Sequence, residues 1–214
     1  MMTTRTTIGA LLGFTFATGL VDAASLLGPG RVFTANMTGN LVFLGFAAAG
    51  SGETSISMGL IALTAFLVGA VAGGWFALGS RVGRGLGVEL VALGGAVAIA
   101  ALLPRNAGAV LLTVGLLAVA MGMRNALIRS LAVPDLTTTV LTLTLTALAA
   151  DSSLAGGANP RWIRRVSAVA SLVAGAVLGA WAMRFGLPVV LAAAFACELA
   201  SGVLLVRSRS EPAE

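Results

Sequence analysis

The sequence has no lysine, no histidine and no tyrosine, and Cys197 is its single cysteine. A disulfide within one chain is therefore excluded, and so is a metal site built from cysteine and histidine. The usual Ser–His and Ser–Lys catalytic arrangements are excluded as well, because each needs a residue type that is missing. We therefore expect no enzymatic activity, no metal and no cofactor.

Charge is scarce too: 10% of the 214 residues are charged and 58% are hydrophobic. A soluble domain carries about 25% charged residues, so a water-facing surface cannot be built from this composition. The net charge of +5 comes from thirteen arginines, which lie singly or in small groups between apolar runs. That pattern is typical of anchors beside a lipid bilayer and not of a nucleic-acid-binding face. The sequence predicts an all-α integral membrane protein.

Glycine, proline, arginine and acidic residues divide the chain into eight apolar segments. They are Ile8–Leu27, Val32–Gly50, Ser57–Gly79, Val88–Leu103, Ala107–Arg129, Val133–Ala150, Val166–Met183 and Leu187–Val206. A helix needs about 20 residues to cross the hydrocarbon core. By that measure the fourth segment is short, and the sixth is short and rich in threonine.

The start of the first segment has some features of a secretory signal, because Arg5 precedes an apolar run and Val21-Asp22-Ala23 is similar to a cleavage site. However, the pattern Gly19-x-x-Asp22-Ala23 recurs in mid-chain as Gly122-x-x-Asn125-Ala126, where no signal acts. The first segment is therefore predicted to be part of the fold.

The two halves of the chain are similar to each other. The matching stretches are 67–75 with 173–181 and 85–88 with 186–189, and the matching single positions are Asp22 with Asn125 and Thr38 with Thr142. Because the matches occur in the same order, residues 1–105 and 106–214 are predicted to be two copies of one four-segment membrane unit.

The arginines test how many segments span the membrane. If all eight segments spanned the membrane, seven arginines would lie on one side and six on the other. If the second and sixth segments instead return to the side from which they enter, ten arginines lie on one side and three on the other. Dropping the first and fifth segments instead gives nine and four. Cytoplasmic loops are enriched in arginine, so we expect six spans plus two re-entrant or broken helices, with both termini in the cytoplasm. Three spans per half would make the repeat inverted, as in many transporters.

The second segment contains polar residues around a glycine, in the run Ala35-Asn36-Met37-Thr38-Gly39-Asn40. Two interpretations stay open. Asn36, Thr38 and Asn40 could hydrogen-bond between membrane helices, or they could bind a ligand or ion at a broken helix.

Asp22 is the strongest single candidate for a functional residue, because an ionisable residue inside an apolar membrane segment indicates a function by default. Its counterpart in the repeat is Asn125, and Arg124 is next to that residue. A contact between Asp22 and Arg124 is therefore a hypothesis for either a site or a structural pair.

The second half supplies further candidates. Thr138 and Thr142 share one face of the sixth segment at four-residue spacing and are expected to join the same polar site. Glu198 is a weaker candidate for a proton carrier. Glu89 and Asp151 are at predicted segment ends, where solvation explains them.

Two small-residue patterns predict close helix packing, namely Gly69-x-x-x-Gly73 and Gly175-x-x-x-Gly179. Their partner is either the other half of the chain or a second copy in a homo-oligomer.

The stretches 19–23, 32–33 and 35–40 together resemble the signature of the YoaK-like family, which comprises uncharacterised bacterial inner-membrane proteins grouped as a domain of unknown function. Residues 121–126 and 138–142 resemble the motifs of its second half. This sequence departs from the family pattern at Arg124, where glutamine is usual, and at Leu143, where glycine is usual. The resemblance implies a membrane protein of about six spans in the bacterial inner membrane, and it brings no substrate.

The architecture favours a small-solute transporter or channel-like permease with a polar site near the middle of the membrane. The alternative is a membrane protein that transports nothing and acts as a structural or regulatory partner. A polar cavity shared by Asp22, Asn36, Asn40 and Thr142 would favour transport, whereas a dry, fully packed middle of the bundle would argue against it.

Overall fold

A computed structural model describes residues 5–51, 55–79, 81–133 and 141–210. Within these ranges the chain folds into helices without any β-strand. The α-helices are α1 (Arg5–Leu27), α2 (Met37–Ala48), α3 (Ile56–Leu78), α4 (Val82–Leu102), α5 (Ala107–Ser130), α6 (Leu141–Ala150), α7 (Trp162–Ala182) and α8 (Leu187–Ser210). Short 3₁₀ turns, Ser153–Ala155 and Met183–Phe185, precede and follow α7.

Six of the helices are long and apolar enough to cross a membrane, namely α1, α3, α4, α5, α7 and α8. The remaining two, α2 and α6, are apolar but have only 12 and 10 residues. At a rise of 1.5 Å per residue, neither reaches across a hydrocarbon core about 30 Å thick. The predicted fold class of six spanning helices plus two short ones is therefore confirmed.

The fourth segment is longer than the sequence indicated, since its predicted start was wrong. Helix α4 begins at Val82, six residues before the predicted start at Val88, and has 21 residues. The prediction treated Gly83, Arg84 and Gly85 as breaks. Near a helix end, however, an arginine can extend its head group into water, and Gly85 is needed where α4 packs against Leu127.

Helix α3 packs along α5 through glycines on both helices. A β-carbon on Gly69 would collide with the backbone of Val119, and one on Gly73 would collide with the backbone of Met123. Gly122 has the same relation to the backbone of Phe66. Residue numbers rise together along the contact, so α3 and α5 are parallel.

Helix α7 packs along α1 in the same way. Gly19 lies against the backbone of Leu172, Gly175 against that of Phe16, and Gly179 against Leu20. The numbers again rise together, so α1 and α7 are parallel.

The glycine faces therefore join the two halves of one chain. Gly69, Gly73, Gly175 and Gly179 are all buried in this way. Of the two partners that the sequence left open for these glycines, the structure shows the other half of the chain, since each glycine faces α5 or α1.

The other close neighbours are antiparallel. In the pair of α1 and α8, Gly13 lies against Ser201, and Thr7 Oγ1 is 3.1 Å from Ser208 Oγ. In the pair of α4 and α5, Gly85 contacts Leu127 and Gly95 contacts Leu116. In the pair of α4 and α8, Gly83 contacts Val206 and Gly94 contacts Phe195.

These contacts give every long helix a direction. Helices α1, α4 and α7 run one way, and α3, α5 and α8 run the other way. Because α1 and α3 are antiparallel, α2 starts and finishes its connection at the end of the bundle where α1 ends. The same reasoning puts α6 at the opposite end, between α5 and α7, so neither short helix crosses the bundle.

Most arginines lie at the end of the bundle where α1 starts, which is called the arginine-rich end below. Nine belong there by helix direction: Arg5, Arg81, Arg84, Arg129, Arg161, Arg164, Arg165, Arg207 and Arg209. Three belong to the other end: Arg31, Arg105 and Arg184. Arg124 was predicted to be an anchor as well, but it is fully buried within α5.

The outer surface of the bundle is apolar, as lipid requires. Leu78, Val71 and Val91 are 91%, 75% and 75% exposed. In water such a surface would be a large exposed apolar patch, whereas next to lipid chains it is the expected exterior. The buried core lies between α1, α4, α5 and α8.

Candidate functional site

The chain turns back into the bundle directly after α1. Gly28 and Gly30 allow this turn, because a β-carbon on either would collide with Ala24 O or the Val114 side chain. The returning segment then buries Val32 and Thr34 completely. Backbone groups of a buried segment that is neither helix nor strand need hydrogen-bond partners.

Asp22 supplies a hydrogen-bond acceptor for two backbone N–H groups of this segment. Its Oδ1 accepts hydrogen bonds from the backbone N–H groups of Thr34, at 3.3 Å, and Ala35, at 3.0 Å. Hydrogen bonds to a carboxylate are stronger than those between neutral groups. Asp22 therefore fastens the returning segment to α1 at about the depth where α2 begins.

Asn40 supplies two further hydrogen bonds to the backbone of this segment. The Phe33 N–H donates to Asn40 Oδ1 at 2.9 Å, and Asn40 Nδ2 donates to Phe33 O at 2.6 Å. The amide thus satisfies both backbone groups of one residue. Asn36 caps α2, since its Oδ1 accepts from the Gly39 N–H at 3.3 Å. For Asn36 and Asn40 the structure fits local hydrogen bonding, and Thr38 lies exposed on the first turn of α2.

We expect Asn40→Asp to destabilise the protein and Asn36→Asp to leave it nearly unchanged. The carboxylate of Asp at position 40 cannot donate to Phe33 O, so a buried carbonyl loses its partner at a cost of about 1–3 kcal/mol. At position 36 aspartate caps a helix as well as asparagine does. Thermal unfolding in detergent measures both variants, and equal loss in the two would contradict the assigned roles.

The candidates from the second half do not meet Asp22. Thr142 is exposed on α6, which packs against α7, and its carbonyl accepts from Thr146 Oγ1 at 2.9 Å. Asn125 Nδ2 donates to Met121 O within α5 at 2.9 Å. Thr138 lies outside the described residues. The predicted cavity shared by Asp22, Asn36, Asn40 and Thr142 is therefore wrong, because Thr142 is on another face of the bundle.

Arg124 is the most informative side chain in the interior. It is fully buried, and its Nη1 forms an ion pair with Glu198 Oε1 of α8. Its Nη2 donates to Thr18 Oγ1 of α1 at 3.0 Å, and its guanidinium lies 5.9 Å from the centre of the Phe14 ring. The predicted contact with Asp22 is present only as a longer-range electrostatic interaction, because Glu198 of α8 forms the ion pair with Arg124.

A second carboxyl group lies beside this ion pair. Glu89 of α4 is fully buried and close enough to Glu198 and Arg124 to interact with both electrostatically. Sequence reasoning missed it, because the predicted start of the fourth segment at Val88 put Glu89 at a solvated helix end. Because α4 begins at Val82, Glu89 lies about two turns inside the helix and not at its end. Asp151, treated in the same way, is 44% exposed and pairs with Arg165 at 2.8 Å.

Glu89, Arg124 and Glu198 are called the charge cluster below. Both carboxylate oxygens of Glu89, Glu198 Oε2 and Arg124 Nε are buried without a hydrogen-bond partner. Such atoms are rare in folded proteins and call for an explanation. Glu198 lies midway along α8, so the cluster is near the middle of the bundle.

Two cavities lie in the described part of the bundle. An open groove of about 320 Å³ runs between α4 and α8, and its mainly apolar walls include Leu90 and Leu199, the chain neighbours of Glu89 and Glu198. A smaller cavity between the ends of α1 and α4 and the start of α5 has about 30 Å³, which is room for about two water molecules. Neither cavity is lined by a side chain of the charge cluster itself.

Comparisons with known proteins agree with this architecture. The model of a family described as a protein of unknown function, DUF1275, matches residues 10–204. The UPF0700 transmembrane protein YoaK of Bacillus subtilis (strain 168) is 43% identical over 67 residues, which are 31% of this chain and 29% of that protein. The match thus spans less than a third of the length of this relative. No solved structure gives a significant match. Since the family model covers most of the chain, this polytopic membrane protein belongs to the DUF1275 family.

Proposed function

We propose that this protein is a small-solute transporter of the bacterial inner membrane. The observation that carries the proposal is the charge cluster, because three ionisable side chains are buried in the middle of an apolar bundle. Ionisable residues inside a membrane are costly, and they mark ion or substrate pathways in pumps and transporters. A protein that only filled the membrane would pack apolar side chains there.

We interpret residues 1–105 and 106–214 as an inverted repeat, and this interpretation supports the proposal. Exchanging α1 with α5, α3 with α7 and α4 with α8 turns the pair of α3 and α5 into that of α7 and α1, turns the pair of α1 and α8 into that of α5 and α4, and leaves the pair of α4 and α8 unchanged. The three spans of the first half run opposite to their counterparts in the second half. Trp75 and Trp181 are equivalent in the repeat, and they lie near opposite ends of the bundle, where amphipathic rings prefer the membrane interface. Transporters of this architecture alternate access around a central site.

The arginine distribution supports an orientation with both termini in the cytoplasm. Nine arginines belong to the arginine-rich end and three to the other. Removing Arg124 from the predicted count of ten leaves the bias intact. The positive-inside rule then assigns the arginine-rich end to the cytoplasm.

The site residues divide into two groups in this proposal. The charge cluster, which includes the predicted site residue Arg124, contacts the transported species or its coupling ion. The residues Asp22, Asn36 and Asn40 hold the returning segment that closes the bundle above the cluster. Opening towards that end would require the bonds from Asp22 to Thr34 and Ala35 to break.

Uptake into proteoliposomes tests the proposal. A panel of small solutes is offered to wild type, Asp22→Asn, Glu198→Gln and the control Arg209→Gln, which is at the end of α8. We expect uptake of at least one solute above that of protein-free vesicles, a loss of roughly tenfold or more in Glu198→Gln, and no loss in the control. Flux equal to that of protein-free vesicles for every solute would contradict transport.

The small cavity between the ends of α1 and α4 and the start of α5 favours a second candidate function, a structural or regulatory membrane protein that transports nothing. Its volume of about 30 Å³ admits no solute larger than about two water molecules. The two functions differ in motion. Cysteines introduced at the fully buried positions Val32 and Thr34 should become accessible to a water-soluble thiol reagent in a transporter that opens, and should stay protected in a static bundle.

A further inference from the structure

We propose that the charge cluster binds one proton between Glu89 and Glu198, and that this proton is the coupling ion. The second half of this inference rests on the proposed transport function, whereas the first half concerns the folded protein alone.

The unpartnered oxygens are arranged so that one proton satisfies two of them. Glu89 has two free oxygens and Glu198 has one, Oε2, while the other Glu198 oxygen is held by Arg124. A protonated Glu89 carboxyl donates its O–H to the free Glu198 oxygen. The reaction is the transfer of one proton from water to a carboxylate, and no other bond forms or breaks.

The charges of the cluster lead to the same stoichiometry. Two carboxylates and one guanidinium leave a net charge of one minus, buried where ions are poorly solvated. One bound proton makes the cluster neutral. Asp22 of α1 also interacts with Arg124 electrostatically, but its Oδ1 is already engaged by two backbone amides.

The other helices packed against Glu89 bring no further charge to it. Helix α3 has no ionisable residue between Ile56 and Leu78. On α8 the nearest ionisable neighbour of Glu198 is Cys197, whose thiol donates to Gly13 O at 3.4 Å. The groups that set the protonation of the cluster are therefore Glu89, Glu198, Arg124, Cys197 and, through Arg124, Asp22.

A proton fits the cluster better than a metal cation does. Hard cations such as calcium and magnesium take about six or more oxygen ligands, and three free carboxylate oxygens fall short of that number. The guanidinium of Arg124 would also repel a metal ion. Among the described residues no group of three or more metal-ligating side chains occurs.

Loss of the proton would change the contact between α5 and α1. Arg124 Nη1 donates to Glu198 Oε1 of α8 and to Phe14 O of α1, and Arg124 Nη2 donates to Thr18 Oγ1 of α1. Once Glu89 is ionised, it competes for the guanidinium, whose Nε is free. The guanidinium then turns towards α4 and releases α1, which is the helix that holds the returning segment.

Infrared difference spectroscopy on the protein in liposomes tests proton binding. We expect a protonated-carboxyl band that shifts in D₂O, disappears on raising the pH, and is missing in Glu89→Gln. The control Asp151→Asn should keep the band. A wild-type protein without the band, or an unchanged band in Glu89→Gln, would overturn the proton site. A band that sodium removes at constant pH would also overturn it, in favour of an alkali cation.

Uptake under an imposed proton gradient tests the coupling. We expect the gradient to raise solute uptake in wild type roughly tenfold and to have no effect in Glu89→Gln, with the melting temperature of both measured in parallel. Gradient-independent uptake in wild type would overturn the coupling and leave transport standing. The infrared band without uptake of any solute would refute the transport function and the coupling, while the proton site itself would be supported.

Discussion

Gly122→Leu is expected to prevent stable folding, whereas Gly115→Leu, two turns earlier on the same helix, is expected to be tolerated. At Gly122 even a β-carbon would collide with the backbone of Phe66 and meet Ala70 N at 3.0 Å. Backbone cannot move aside as a flexible side chain can, so a leucine there costs about 3 kcal/mol or more. Gly115 has no atom within contact distance of an added β-carbon.

The measurement is the amount of monodisperse protein in mild detergent and its melting temperature. The repeat supplies a second, independent pair. Gly19→Leu should fail like Gly122→Leu, because Gly19 meets the backbone of Leu172 in the equivalent crossing, and Gly9→Leu should be tolerated. Normal yield of Gly122→Leu would mean that α3 and α5 are not in backbone contact.

Hydropathy and glycine spacing were sufficient to predict the architecture. The six long helices follow from apolar runs near membrane length. Gly69, Gly73, Gly175 and Gly179 predicted close helix packing, although the partner helices and their parallel direction became evident only in the structure. These signals are strong because in lipid each is a requirement of one segment and its immediate neighbour.

The interior site was harder, because a polar residue does not specify its partner. The repeat-equivalent of Asp22 is Asn125, the neighbour of Arg124, so a contact between Asp22 and Arg124 was a reasonable prediction. Asp22 instead binds the backbone of Ala35, and Arg124 forms its ion pair with Glu198. That choice depends on which faces of α1, α5 and α8 meet, and this is a property of the assembled bundle. Glu89 was missed for a local reason, since an error of six residues in one helix start changed its predicted environment from interior to surface.

The second large effect is expected for Arg124→Met, which should be strongly destabilising unless Glu198 is replaced as well. The single variant leaves Glu198 buried without its counter-ion, and breaking a buried ion pair costs about 3–5 kcal/mol. In Arg124→Met with Glu198→Met no charge is stranded by the change, and the side chains fill similar space. The double variant should therefore regain most of the loss, with Glu89 neutral.

A double-mutant cycle on melting or denaturant midpoints measures this, and a second cycle with Arg124→Met and Asp22→Asn is the matched control. We expect a coupling energy of about 2–3 kcal/mol between Arg124 and Glu198 and a clearly smaller value between Arg124 and Asp22, which interact without forming an ion pair. The reverse order would restore the pairing that the repeat alone suggested. The double variant also separates folding from function. If it folds without the ion pair but no longer transports solute, the buried charges are needed for transport and not for stability, since apolar residues of that volume stabilise the bundle equally well.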